Sequence, residues 1–238
     1  MYNLNKFQNG LKELNIELTE EQMNQFIQYY ETLIEWNKVM NLTAITEFDE
    51  VVQKHFIDSL ALIKVVDLNK PLSILDLGTG AGFPGIPLKI AFPKTKILLL
   101  DSLNKRIKFL NTVIDELQLK NITAIHGRAE EYGQNELYRE QFDLCVSRAV
   151  ANLSTLSEYC MPYVKRGGYF IPYKSEKTEQ EIQAATEAIR ILGGKIEQVN
   201  EFQLPDTDMK RTLVVVKKAL NTPKKYPRSG GKPSKEPL

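Results

Sequence analysis

The sequence predicts an α/β fold: a seven-stranded, mostly parallel sheet with a C-terminal antiparallel hairpin and a helical cap at the N-terminus. Three observations lead there. Apolar residues recur at helical spacing up to about residue 66, and from Ser73 short apolar runs alternate with helical stretches. The last two strand-like runs have too few residues between them for a helix. A chain of 238 residues accommodates one such domain with a small appendage. The expected division is a helical cap over 1–66, a sheet domain over 67–220 and a tail over 221–238.

In the cap, Leu4, Phe7, Leu11 and Leu14 mark one face of a first helix. Thr19-Glu-Glu-Gln22 has the form of a capping box, in which hydroxyl and amide satisfy backbone groups that a helix start leaves open. A second helix then carries Met23, Phe26, Ile27, Tyr30, Leu33, Ile34 and Met40 as a stripe, and a third is expected over 48–66. Strands are expected at 73–77, 96–100, 122–126, 142–147 and 168–173, with helices at 85–91, 105–117, 152–164 and 176–192. This alternation builds a parallel sheet through right-handed crossovers. The runs 195–202 and 212–217 are joined by LPDTDMKR and should pair as an antiparallel hairpin. The end, rich in Pro, Gly and Lys, reads as an extended tail rather than a packed element.

Composition narrows the setting. No apolar run approaches the roughly 18–20 residues of a membrane span, and the N-terminus lacks the apolar core of a secretory signal. Cys145 and Cys160 have no metal-ligand spacing, so a reduced cytoplasmic setting without disulfide or metal is expected. The net charge of +1 conceals an asymmetry: 217–238 carries +6 and the rest −5. A basic end on an acidic body suits either contact with a polyanion or a solvated terminus.

The strongest local signal is SILDLGTGAGFPGIPLKIAF, residues 73–92. A strand runs into Gly78, Gly80, Gly82 and Gly85, and a helix then opens near Pro84 and Pro87, which lack donors that a first turn leaves unused. A ligand is expected against this turn, at the carboxyl end of the strand. Asp101 ends the next strand 21 residues after Gly80, where a carboxylate can accept from ribose hydroxyls. Gly80 to Gly85 matches the dinucleotide pattern G-x-G-x-x-G, so NAD and S-adenosylmethionine both fit. Asp76, which makes the loop D-x-G-x-G-x-G, and the terminal hairpin favour the methyltransferase over a dinucleotide sheet of six parallel strands.

Several further runs, in order, resemble the bacterial small-subunit ribosomal RNA guanine-7 methyltransferases, the RsmG or GidB (glucose-inhibited division protein B) family. They are WNKVMNLT (36–43), HFIDSL (55–60), DLGTGAGFPGIPL (76–88), LDSLNKR (100–106), GRAE (127–130), SRA (147–149) and YPRSGGKP (226–233). The resemblance covers nearly the whole chain. It implies a Rossmann-like fold and methylation of ring nitrogen 7 of a guanine in the 530 loop of 16S ribosomal RNA, with S-adenosylmethionine as donor. It further implies that Gly78, Gly80, Gly82 and Phe83 hold the methionine part of the cofactor. Asp101 would bind ribose with Ser102 beside it, Ala129 and Glu130 would meet adenine, and Arg148 would face the reacting centre. The expected partner is 16S ribosomal RNA or the small ribosomal subunit, bound by a monomer without metal or membrane.

The remaining candidates read as follows. Arg148 ends a strand where its planar fork suits a cofactor carboxylate, RNA, or a structural acid such as Asp76. The run 147–150 lacks the Asn/Asp-Pro-Pro-aromatic pattern of enzymes that methylate exocyclic amines, and no general base stands out. His55, near Asp58 on a helix, reads better as structural, and His126 as the cap of a strand. Trp36, Tyr29 and Tyr30 could stack on a base, but their spacing favours the core. An NAD-dependent oxidoreductase and a non-catalytic RNA-binding factor are the rival readings.

Overall fold

The structure is a computed structural model that describes residues 2–148, 151–175 and 178–238. Helices α1 (Asn5–Glu13) and α2 (Glu20–Met40) open the chain. Gly10 of α1 admits the third helix closely, since a Cβ there would lie 2.7 Å from Ile57. The capping box forms: Gln22 N–H donates to Thr19 Oγ1 at 3.2 Å and Thr19 N–H to Gln22 Oε1 at 2.8 Å. The Gln22 amide also donates to Ile90 O at 2.7 Å. One residue therefore starts α2 and ties the cap to the sheet.

The third helix is not the regular one expected over 48–66. It begins as α3 (Phe48–Val51), widens into a π turn (Val52–Ile57), resumes as α4 (Asp58–Leu60) and tightens into a 3₁₀ turn (Ala61–Lys64). The carbonyls of Lys54 and His55 in the wide turn accept from Arg148 at 3.0 and 3.2 Å. That partner lies far along the chain, so local periodicity carries no trace of it.

The sheet domain comprises β1 (Ser73–Leu77), α5 (Gly85–Ala91), β2 (Lys96–Asp101), α6 (Asn104–Glu116), β3 (Ile122–His126), α7 (Ala129–Tyr132), β4 (Phe142–Ser147) and α8 (Leu153–Cys160). It continues with β5 (Val164–Lys174), α9 (Glu179–Ile191), β6 (Gly194–Gln203) and β7 (Lys210–Lys218). The strand order is β3-β2-β1-β4-β5-β7-β6, parallel from β3 to β5, with β7 antiparallel to both neighbours. The largest boundary shifts lie at the β4–β5 crossover. The helix expected over 152–164 stops at Cys160 and passes through a 3₁₀ turn containing Pro162, so β5 starts at Val164. Glu176, the expected start of the next helix, lies outside the described residues.

The cap and the sheet share one core. Phe7, Phe26, Tyr29 and Phe56 belong to the same buried cluster as Ile86, Leu99 and Phe109. Each such side chain contributes roughly 1.5–3 kcal/mol on full burial. Tyr29 and Tyr30 are core residues, and Trp36 is half-buried with its ring 5.8 Å from Phe109. Leu153, Tyr163, Phe170 and Ile189 form the core on the opposite face of the sheet, and Tyr226 from the tail belongs to it.

The tail is therefore packed, not extended. Arg139 donates to Thr222 O at 2.7 Å and Tyr226 O at 2.8 Å, and Arg228 donates to the buried Glu158 at 2.6 Å. A last short helix, α10 (Lys232–Lys235), lies against α8. Composition suggested an unpacked end because prolines and lysines bury little apolar area, but polar anchors do the holding here. Among the described residues, no helix is long and apolar enough to cross a membrane.

Candidate active site

A cavity of about 510 Å³ opens at the carboxyl ends of β1, β2, β3 and β4. Its floor is the turn after β1. Gly78 and Gly80 have φ of +72° and +62°, and a Cβ on Gly80 would meet nothing within 4 Å. The turn therefore leaves backbone, not side chain, against a ligand. Asp101 closes β2 beneath it, only 3% exposed. Its Oδ2 accepts from Gly80 N–H at 2.9 Å and its Oδ1 from Leu103 N–H at 2.9 Å, and Arg106 approaches Oδ2 at 3.2 Å. The carboxylate is thus oriented by the glycine turn and lines the cavity.

Most expected site residues converge here. Gly78, Gly80, Phe83, Asp101, Ser102, Ala129, Glu130 and Arg148 all line the cavity. Gly82 does not. A Cβ on it would lie 2.5 Å from Ile86 Cδ1 and 2.8 Å from the Tyr29 hydroxyl, so glycine is needed there for packing. Tyr29 donates its hydroxyl proton to Ala81 O and holds the turn from behind. His126 is the last residue of β3, its Nε2 3.1 Å from Ser102 O.

Asp76 is fully buried under the same turn. Its Oδ2 accepts from the Thr79 hydroxyl at 2.6 Å and Gly85 N–H at 2.8 Å, while Oδ1 has no partner among the described residues. Burial raises its pKa to about 7 against the opposing pull of these two hydrogen bonds. Asp76 does not pair with Arg148. That partner is Asp58, whose Oδ2 lies 3.2 Å from Arg148 Nη2 and whose Oδ1 accepts from Arg211 Nε at 3.1 Å.

Arg148 spends its fork on the cap. Nη1 donates to His55 O at 3.2 Å and Ser59 Oγ at 3.1 Å, and Nη2 donates to Lys54 O at 3.0 Å, lies 3.3 Å from His55 Nδ1 and forms an ion pair with Asp58. Both terminal nitrogens are thus engaged by the cap, and the guanidinium carbon lies 5.6 Å from the Phe83 ring centroid. Arg148 is a positioning residue that clamps the π turn onto the end of β4.

The clamp packs against His55. His55 Nδ1 lies 3.1 Å from Lys54 O and 3.3 Å from Arg148 Nη2, and Nε2 lies 3.0 Å from the Thr43 hydroxyl. Burial first, then the charge of Arg148, lowers its pKa to about 3. The neutral ring stacks on Phe83 at 4.4 Å. His55, Thr43 and Leu42 form a cavity wall supplied by the cap, which residue-level reading missed. Their only signal was the pair of runs WNKVMNLT and HFIDSL. Arg106, Arg128 and Tyr159 also line the cavity without having been singled out. Among the described residues, no group of three His, Cys, Asp or Glu side chains could hold a metal ion.

A sheet of this order, with a glycine turn after β1 and a carboxylate closing β2, is that of the Rossmann-like methyltransferases. A S-adenosylmethionine (SAM) dependent methyltransferase from Aquifex aeolicus shares the fold, with TM-score 0.52 and 16% identity over 70% of this chain and 92% of that one. The chain belongs to the GidB family, rRNA small subunit methyltransferase G, whose family model matches residues 22–213. The Ribosomal RNA small subunit methyltransferase G of Lachnoclostridium phytofermentans is 60% identical over 232 residues, 98% of this chain and 96% of that protein. Its namesake in Clostridium botulinum is 52% identical over 234 residues, 98% of each.

Proposed function

We propose that this protein transfers the methyl group of S-adenosylmethionine to ring nitrogen 7 of a guanine in the 530 loop of 16S ribosomal RNA, in the cytoplasm. The observation that carries the cofactor assignment is Asp101, a cavity-lining carboxylate oriented by the N–H groups of Gly80 and Leu103. The donor set fits the group: a carboxylate for ribose hydroxyls, an open glycine backbone for the methionine part, and Ala129 with Glu130 for adenine. The substrate assignment rests on family membership. The literal dinucleotide pattern loses its force, because Gly82 serves packing and β7 runs antiparallel.

S-adenosylmethionine, when bound, supplies a methyl group on a positively charged sulfur. Ring nitrogen 7 presents an in-plane lone pair and has no proton to lose. The protein's task is then alignment rather than proton transfer. The cavity agrees: His55 has its Nε2 hydrogen-bonded to Thr43 and a pKa near 3, so it is a poor base at neutral pH. The cap wall of Leu42, Thr43 and His55 would orient the base, and the turn with Asp101 would orient the cofactor. On this reading 1–66 acts as the acceptor-side wall and 67–220 as the cofactor domain.

The test is incubation with labelled S-adenosylmethionine and 16S ribosomal RNA lacking the modification, followed by nucleoside analysis. Label in 7-methylguanosine at one position of the 530 loop is expected. Label on an exocyclic amine, or none, would overturn the assignment.

A further inference from the structure

The C-terminal segment meets the cavity through Tyr159. This residue of α8 lines the cavity, and its hydroxyl lies 3.1 Å from Ser234 Oγ in α10. Around that point the segment is anchored by buried or half-buried polar contacts. Glu158, with no exposure, accepts from the Arg228 backbone N–H at 2.8 Å and from its guanidinium at 2.6 and 2.9 Å. Thr155 donates to Pro233 O at 2.8 Å and Ser154 to Leu238 O at 2.6 Å.

This packing sorts the basic residues of 217–238. Lys217 pairs with Glu197, the buried Lys218 with Glu140, and Arg228 with Glu158. Lys224, Lys225, Lys232 and Lys235 are exposed and make no ion pair among the described residues. With Glu236 set against them, the outward charge is about half the +6 counted from sequence, and it is displayed from a fixed element. Tyr226 and Pro233 are buried, so between 224 and 236 the exposed residues are lysine, serine, glycine and Glu236. Such a face suits a polyanion backbone rather than a protein surface.

We propose, on the basis of the ribosomal RNA substrate assigned above, that α10 and the strand of chain leading to it form a fixed phosphate-binding bank beside the cavity, with Lys232 and Lys235 on the backbone of the RNA whose base enters it. Phosphate contacts set register without reading sequence. Lysines on an anchored element also need less ordering when RNA binds than lysines on a loose tether. Arg128, exposed after β3, adds a further positive charge among the residues lining the cavity.

Lys232→Ala/Lys235→Ala tests the contacts, with Glu158→Gln testing the placement. Deleting the segment would be a poor test, since Thr222, Tyr226 and Pro233 are buried. Binding of unmodified 16S ribosomal RNA is measured across a salt series. Each phosphate contact with single-stranded RNA contributes about 0.7 to the slope of log affinity against log salt, so the double variant should lose about 1.4. Its affinity for S-adenosylhomocysteine should match the wild type. Glu158→Gln keeps every lysine but removes the anchor's charge, and should also weaken RNA binding. Salt lines parallel to the wild type in the double variant would overturn the proposal. So would wild-type RNA affinity in a Glu158→Gln protein whose segment 226–235 has lost protection from hydrogen exchange. Should that variant fail to fold by circular dichroism, the double variant decides. Wild-type methyl transfer to the same RNA is measured alongside: its absence would overturn the substrate assignment, whereas transfer with parallel salt lines overturns the bank alone.

Discussion

Asp76→Asn will stabilise this protein at neutral pH and remove a pH dependence that the wild type shows between about pH 4 and 7. The wild-type carboxyl titrates at about 7 in the fold because of burial, against 3.8 when exposed. Between those values the folded protein keeps a proton that the unfolded chain has released. Stability therefore falls as pH rises through that window and levels off above it. At about 1.4 kcal/mol per unit, the shift corresponds to about 4 kcal/mol. Asparagine keeps an acceptor for Thr79 and Gly85 but places an amide where Oδ1 has no partner, and a buried unsatisfied group costs about 1–3 kcal/mol. The variant should then be the more stable protein at pH 8 by about 1–3 kcal/mol and lose that advantage toward pH 4.5. Urea unfolding of both proteins from pH 4.5 to 8.5 measures this, and the difference cancels every other titration. A difference that is constant with pH, or that grows toward acid, would refute the argument.

Three other outcomes are expected. Asp101→Ala should weaken S-adenosylhomocysteine binding roughly 10- to 150-fold, since hydrogen bonds to a charged group contribute about 1.5–3 kcal/mol; unchanged affinity by calorimetry would remove Asp101 from the ribose site. Gly82→Ala should cost about 2–4 kcal/mol, because its Cβ would clash with Ile86 and Tyr29 at a φ of +97°. Gly80→Ala, which meets nothing within 4 Å, should cost only the roughly 1–2 kcal/mol of left-handed backbone, and thermal melts showing the reverse order would reject the packing role of Gly82. The single-turnover methylation rate, measured in the Asp76→Asn background, should stay flat from about pH 6.5 to 8.5, because His55 with a pKa near 3 does not titrate there; a rise of unit slope that His55→Gln abolishes would show that a histidine base is required.

What the sequence by itself determined is what short-range forces control. The Thr19–Gln22 capping box, the strand–glycine turn–helix after Ser73 and the acid 21 residues after Gly80 are each encoded within a few residues or one crossover. So are the short apolar runs of the parallel strands, and these features together located the glycine-turn side of the cavity. The wall that the cap supplies was decided only in three dimensions. Arg148 reaches Asp58 and two carbonyls of a π turn some 90 residues earlier, and that reach makes it a clamp; burial, with the charge of Arg148 second, keeps His55 neutral. The C-terminal segment was settled the same way, since its lysines and prolines read as an extended end until Glu158, Arg139 and Glu140 supplied partners from distant helices and turns. A side chain's charge state and reach depend on which groups desolvate it and take its hydrogen bonds, and those groups meet only when the chain has closed on itself.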